Sequence, residues 1–158
     1  PNALIVIDTM NLWIETTLPD LMKVLSSSNI LLINESESTL LTNQKNLVDA
    51  ASTLLNLGPD VVVIKKGSSG AELFSNNEHL EIGAFPVKDV IDPTGAGDAF
   101  AGAFTACLSS GESNRSALLH ASAMASICIE SFGTERLQNA SNDEISKRIE
   151  LLSKTVKS

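Results

Sequence analysis

The stretch Val90-Ile91-Asp92-Pro93-Thr94-Gly95-Ala96-Gly97-Asp98-Ala99-Phe100 sets two glycines and an alanine between two aspartates, directly after a β-like run. Glycine weakens strands and helices alike, so bare backbone is needed here. A Gly-rich loop that opens a helix exposes unpaired N–H groups, and the helix dipole adds partial positive charge to them. Phosphate oxygens fit such a cup, and a side chain at Gly95 or Gly97 would obstruct close approach. Asp98 would then stand beside a bound phosphate, able to accept a proton from an attacking hydroxyl. The plainer alternative is an aspartate that only complements the dipole of a first helical turn. A Walker A loop is excluded, because Lys66-Gly67-Ser68 lacks the upstream glycine, and a Gly-x-Gly-x-x-Gly dinucleotide fingerprint fails at Phe100.

The rest of the chain bounds the chemistry. Its 158 residues suffice for one domain with a real core, and 43% hydrophobic with 19% charged residues is an ordinary globular balance. A net charge of −8 counts against nucleic-acid or anionic-membrane partners, which want Lys/Arg patches. No apolar run reaches a membrane-spanning length and no leader-like segment opens the chain, so a soluble cytoplasmic protein is predicted. Cys107 and Cys128 fall in helix-like stretches, and neither a disulfide framework nor a zinc site is expected. The opening Pro1-Asn2, without Met, suggests a processed chain or a fragment.

Strands and helices alternate. Ala3–Asp8 reads as a strand buried on both faces, followed by a helix over Asp20–Ser27 and a strand over Ile30–Ile33. A short helical piece near Glu37–Leu41 and a helix over Lys45–Leu57 follow, the latter stopped by Gly58-Pro59. Asp60–Lys65 is a buried strand, and Ala71–Ser75 with His79–Ile82 flank Asn76-Asn77 as an antiparallel hairpin. After a strand-like Val87–Ile91, helices are predicted over Asp98–Ser109, Arg115–Ser131 and Asp143–Val156. This order implies an α/β domain with a mostly parallel sheet, whose ligands bind beyond the carboxyl ends of the strands. Asp8–Trp13, Asn34–Glu37, Lys65–Gly70 and Asp92–Asp98 occupy those positions and should converge. Lys65-Lys66, an adjacent basic pair in an acidic chain, suggests a locally positive mouth for a polyanionic ligand.

Asp92–Phe104, "DPTGAGDAFAGAF", resembles the C-terminal signature of the PfkB/ribokinase family of carbohydrate and nucleoside kinases. Asn34–Glu37, "NESE", resembles its Asn-x-x-Glu motif, and Lys65–Ala71, "KKGSSGA", its Gly-x-x-Gly nucleotide loop. The three occur in the family's order. The resemblance implies a ribokinase-like three-layer α/β/α fold, with residues 1–158 as its C-terminal nucleotide-binding and catalytic part and the N-terminal half and lid absent. It also implies ATP and Mg2+ as cofactors, with K+ at a monovalent-cation site.

Carried over, Asp98 matches the catalytic base, and Gly95, Ala96 and Gly97 match the backbone anion hole for the transferring phosphoryl group. Thr94 supports the loop, and Asp92 borders the monovalent-cation site. Asn34 and Glu37 match residues that hold Mg2+ largely through water, with Glu37 ranked above Glu35. A solvated helix N-terminus would explain "NESES" as well. Lys66, Gly67 and Gly70 match the loop over the nucleotide phosphates, although a tight turn feeding the hairpin asks for the same residues. Ala121, Ser122 and Ala125 lie on the segment that resembles the adenine-cupping helix, with plain helix packing as the alternative. Asp8, Asn11 and Trp13 follow the first strand near the expected acceptor, while His79 and His120 read as structural or surface residues.

The function implied is transfer of the γ-phosphoryl group of ATP to a hydroxyl of a sugar or nucleoside. A nucleotide-binding fragment or regulatory domain without catalysis of its own is the alternative, and a redox domain fails on the missing fingerprint. The acceptor is the implied small-molecule partner, and exposure of a sheet edge makes a homodimer the expected assembly.

Overall fold

The computed structural model describes residues 3–158. Its strands are β1 (Val6–Asp8), β2 (Ile30–Asn34), β3 (Val61–Lys65), β4 (Ala71–Ser75) and β5 (His79–Ile82). Its helices are α1 (Asn11–Thr16), α2 (Leu18–Leu25), α3 (Glu35–Thr42), α4 (Leu47–Leu55), α5 (Ala96–Ser109), α6 (Asn114–Cys128), α7 (Glu135–Asn139) and α8 (Asn142–Ser153). The five strands are hydrogen-bonded in the order β1-β2-β3-β4-β5, with β1/β2 and β2/β3 parallel, so the sheet is mixed and mostly parallel as predicted. Two compact units share the chain. One comprises the residues up to Gly67 together with Glu72–His79, the other Ser68–Ala71 together with Leu80–Ser158.

In the first unit, β2 and β3 are near-continuous apolar runs, as strands covered on both faces must be. Side chains alternate across the sheet, so Leu31, Ile33, Val62 and Ile64 share one face. They form a core with Ile14 of α1, Leu21 and Leu25 of α2, and Ala51 and Leu54 of α4. Burying one such leucine contributes roughly 1.5–3 kcal/mol. The helices start where capping chemistry allows. Asn46 accepts from the N–H groups of Val48 and Asp49 at the head of α4, and Asn43 closes α3 in the left-handed conformation.

The second unit is helical. Phe100 and Phe104 of α5 stack with ring centroids 6.3 Å apart, and α6 presents the small buried residues Ala117, Ala121 and Ala123, which allow close approach of its backbone. Ser113 and Ser141 cap α6 and α8 through the N–H groups of Ser116 and Glu144.

Several expectations need correction. The first strand is only Val6–Asp8, and Ala3, Leu4 and Ile5 are exposed rather than buried on both faces. Val87–Ile91 is not a strand: Ile91 and Asp92 donate to the Ile129 carbonyl at the end of α6, and Val90 and Ile91 face outward. A strand needs a neighbouring ladder, and β-propensity cannot create one. Helices α1 and α7 fall where loops were expected, since six and five residues carry too little periodicity to be recognised.

Because Phe104 is fully buried, Phe104→Ala should cost about 3–5 kcal/mol in urea denaturation, whereas Leu151→Ala on the exposed face of α8 should stay within about 0.5 kcal/mol. Equal costs would show that the second unit lacks the packed interface described here.

Candidate functional site

Parallel register brings three polar residues to the carboxyl ends of adjacent strands in the first unit. Asn34 is paired with Lys65, and Asp8 with Leu32, so Asp8, Asn34 and Lys65 lie on one face of the sheet, opposite the α1–α4 core. Lys65 Nζ donates to Asp8 Oδ2 at 2.5 Å. Asn34 and Glu37 form a reciprocal capping box at the start of α3. Asn34 Oδ1 accepts from the Glu37 N–H at 2.8 Å, and Glu37 Oε2 accepts from the Asn34 N–H at 3.1 Å. The box explains both residues structurally and also fixes the carboxylate at the strand end. Glu37 is buried whereas Glu35 is exposed. Burial pushes the Glu37 carboxyl above its ordinary range. The Asn34 backbone N–H and the charge of Lys65 oppose that rise, and the charge of Asp8 adds to it.

The next residues are also paired. Lys66 Nζ donates to Glu72 Oε1 at 2.7 Å, and the second oxygen of Glu72 meets His79 Nε2 at 3.0 Å. His79 stacks on Phe74 at 4.4 Å, which accounts for its presence on β5. The positive mouth expected from Lys65-Lys66 is therefore corrected: each ammonium has its own carboxylate. A single 3-10 turn, Gly67–Ser69, follows. Gly67 is exposed with φ +57°, and a Cβ there would meet open space. Gly70, in the second unit, has φ +96°, and a Cβ would lie 1.9 Å from the Ile82 carbonyl oxygen. Its glycine is thus demanded by the chain's own backbone.

The Asp92–Asp98 loop belongs to the second unit. Asp92 Oδ1 accepts from the Thr94 N–H at 3.0 Å, and this bond holds the Asp92 carboxyl below its ordinary range. Gly95 is the N-cap of α5 with φ +82°, and no side chain caps the helix. The Ala96 N–H donates back to the Pro93 carbonyl at 3.2 Å, and the first helical bond runs from Ala99 N–H to the Gly95 carbonyl at 2.8 Å. Of the three residues expected to form an anion hole, Ala96 has therefore already committed its N–H. Asp98 stands exposed in the first turn. Cys128 lies beneath: its Sγ is 3.8 Å from the Thr94 carbonyl, and burial, with Asp92 and Asp98 adding, pushes its thiol up. An uncapped, positively polarised helix start with an exposed carboxylate in its first turn can receive an anion and a proton.

On α6, Ala121 is fully buried in helix packing. Ser122 and Ala125 are half-buried and accessible. His120 Nδ1 pairs with the Ser116 carbonyl in its own helix.

Three of the four segments expected to converge are represented together in the first unit by Asp8, Asn34, Glu37 and Lys65; the fourth is the second unit's loop. Sequence reasoning undervalued Asp8, Lys65, Glu72 and His79, whose partners are set by register and by the hairpin. It also missed Thr9, whose Oγ1 is the one buried side-chain polar atom without a hydrogen-bond partner among the described residues. A charged residue at the last position of each of the two strands that flank β2 was the available signal for Asp8 and Lys65.

Because Glu37 is raised in the folded state, its contribution to stability is full below its unfolded pKa and is lost as pH climbs through the raised value. Glu37→Gln can keep the hydrogen bond to Asn34 without titrating. Its urea midpoint should therefore gain on the native protein as pH rises above the ordinary carboxyl value of 4.5. A gap that is constant, or that shrinks as pH rises, would contradict the burial assigned to this carboxyl.

Residues 3–140 match the family described as pfkB family carbohydrate kinase. The ribokinase of Arabidopsis thaliana is 34% identical over 122 residues, covering 73% of this chain and 32% of that protein. The cytidine kinase of Thermococcus kodakarensis is 38% identical over 93 residues, covering 58% of this chain and 33% of that protein. Among solved structures, Arabidopsis ribokinase complexed with ribose and ATP superposes with a TM-score of 0.80 at 29% identity, covering 93% of this chain and 47% of that one. A candidate Ribokinase II from E. coli, in complex with ATP and Mg2+, gives 0.81 at 30% identity over 94% of this chain and 49% of that one. The chain thus spans about a third of the length of these relatives and about half of the solved chains. With the three motifs in order, the ribokinase-like α/β fold and a match running through most of its length, the chain belongs to the pfkB family of carbohydrate kinases.

Proposed function

We propose that the chain is the nucleotide-binding and catalytic part, residues 1–158, of an ATP-dependent phosphotransferase whose acceptor is a hydroxyl of a sugar or nucleoside. The observation that carries this is the start of α5: a left-handed glycine N-cap, no capping side chain, and Asp98 exposed in the first turn. Relatives named as ribokinase and cytidine kinase support the acceptor class, and neighbours solved with ATP, or with ATP and Mg2+, support the cofactors.

In this mechanism Asp98 accepts the proton of the acceptor hydroxyl, raising the nucleophilicity of the oxygen that attacks the γ-phosphorus. The Gly95–Gly97 backbone and the dipole of α5 stabilise charge on the transferring phosphoryl oxygens. Since the Ala96 N–H is committed to Pro93, Gly95 and Gly97 carry most of that duty. Lys66, Gly67, Gly70 and Thr94 would hold the nucleotide's phosphate side, and Ser122 and Ala125 its base. Mg2+, when bound, neutralises charge on the phosphate oxygens.

The residues present fit a hard ion held through water. Glu37 feels the negative charge of Asp8, while no cluster of three metal-binding side chains exists among the described residues to form a direct cage. Asn34 and Glu37 would hold that hydrated ion. Asp92, kept ionised by the Thr94 N–H, would face K+. A cytoplasmic setting accords with two free thiols, Cys107 and Cys128. Among the described residues no helix is long and apolar enough to cross a membrane.

Calorimetric titration of Mg·ATP into the chain tests the nucleotide assignment. Binding that Gly97→Val loses is expected, because a branched side chain in the first turn obstructs phosphate approach; equal affinity in the variant would remove the anion hole. In the full-length protein, Asp98→Asn should lower turnover by about 10²–10⁴-fold with nucleotide affinity nearly intact. Turnover comparable to the unaltered protein would leave Asp98 as a dipole-complementing residue only. Binding without turnover in every full-length preparation would favour a regulatory nucleotide domain instead.

Self-association is the further expectation. β1 is a sheet edge, and Leu4, Ile5, Met10, Leu12 and Trp13 are exposed on or beside it. Sedimentation should show dimers or larger species at micromolar concentration; a clean monomer counts against the homodimer.

A further inference from the structure

At the end of α6, the second unit contains an ion network that the proposed chemistry does not use. Arg148 of α8 is buried, and its guanidinium reaches three partners: Ser126 Oγ at 2.9 Å, both oxygens of Glu130 at 2.8 and 2.9 Å, and Glu144 Oε1 at 2.8 Å. Arg136 of α7 bonds the same two carboxylates, so two guanidinium groups share two acids. Charge balances within the cluster, and each acid has charged donors, as partly buried carboxylates require.

The position of this network gives it a consequence. Ser126 lies in the last turn of α6, and Glu130 follows Ile129, the residue that ends the helix. The Ile129 carbonyl is the acceptor for the Ile91 N–H at 2.8 Å and the Asp92 N–H at 3.3 Å, the two residues that lead into the glycine loop. The Arg148 guanidinium also lies 4.6 Å from the Phe85 ring centroid, over its face, upstream on the same segment. One side chain therefore grips the Phe85–Asp92 segment near one end by its ring face and near the other through the end of α6. That segment has no strand ladder to hold it.

We propose that Arg148 is a positioning residue for the phosphate loop: it clamps the end of α6 so that the Ile129 carbonyl fixes Asp92, and with it the placement of Gly95–Asp98. The inference rests on the phosphotransferase reading only for what the loop then binds; the clamp itself is a property of the fold. A purely structural Arg148 would stabilise the second unit uniformly. A clamp acts first on the Ile91 and Asp92 amides.

The experiment compares the 158-residue chain with Arg148→Met, which keeps an apolar stem, and with Glu130→Gln, which keeps hydrogen bonds but removes one charge. Lys147→Met, on the exposed side of the same helix, is the control. Amide hydrogen exchange at Ile91 and Asp92 is read against amides of α5 and α6, together with Mg·ATP affinity. Exchange at Ile91 and Asp92 should rise by about tenfold or more in Arg148→Met beyond any uniform rise, and less in Glu130→Gln. Mg·ATP affinity should fall in parallel, while Lys147→Met leaves both unchanged. If Arg148→Met does not fold, the same localised rise in Glu130→Gln decides. An unchanged or merely uniform exchange pattern overturns the clamp, whatever happens to nucleotide. A localised rise in a chain that binds no Mg·ATP supports the clamp and counts instead against the nucleotide assignment.

Discussion

The register of three parallel strands is the constraint on which the first unit's site depends. Pairing Asn34 with Lys65 and Asp8 with Leu32 leaves the last polar residue of each strand at one end of the sheet and on one face. A slip of one residue would turn each of these side chains into the apolar core and would expose Leu31, Ile33, Val62 and Ile64. Burial of those residues therefore enforces the register, and the register places the polar groups. No interaction among Asp8, Glu37 and Lys65 needs to be strong for them to be held together.

In the second unit the corresponding constraint is a single carbonyl. Ile129 ends α6 and receives two amides from a segment that has strand-like sequence and no ladder. The glycine loop that follows is shaped by Asp92 closing on Thr94 and by Ala96 turning back to Pro93, so its conformation is stored in local hydrogen bonds. Arg148 and Arg136 hold the end of α6 from the other side. The exposed start of α5 is thus built on a partly buried, charge-balanced base.

Residues that suit a ligand often also suit the fold, and here the two uses separate case by case. Asn34 and Glu37 satisfy each other as a capping box, yet the same bonds present a carboxylate at a strand end. Gly70 is required by the approach of the Ile82 carbonyl, whereas Gly67 meets nothing and owes its left-handed conformation to the turn alone. Ala121 is consumed by packing, while Ser122 beside it remains accessible. Lys66, attractive as a lone cation, is engaged by Glu72.

What the sequence determined by itself rests on near neighbours in the chain, although the short helices α1 and α7 escaped it. The buried strands, the capped helices, the hairpin and the glycine helix start were legible because periodicity, capping residues and glycine conformations act over a few residues. The three motifs were legible for the same reason, each being a short string. The tertiary structure alone decided which charges meet. Asp8 with Lys65, Arg148 with Ser126 and Glu130, and the Ile129 carbonyl with Asp92 join residues far apart in sequence, so nothing local announces them. It also decided that Val87–Ile91 is no strand, because a strand is defined by its partner and only the folded chain shows whether one is there.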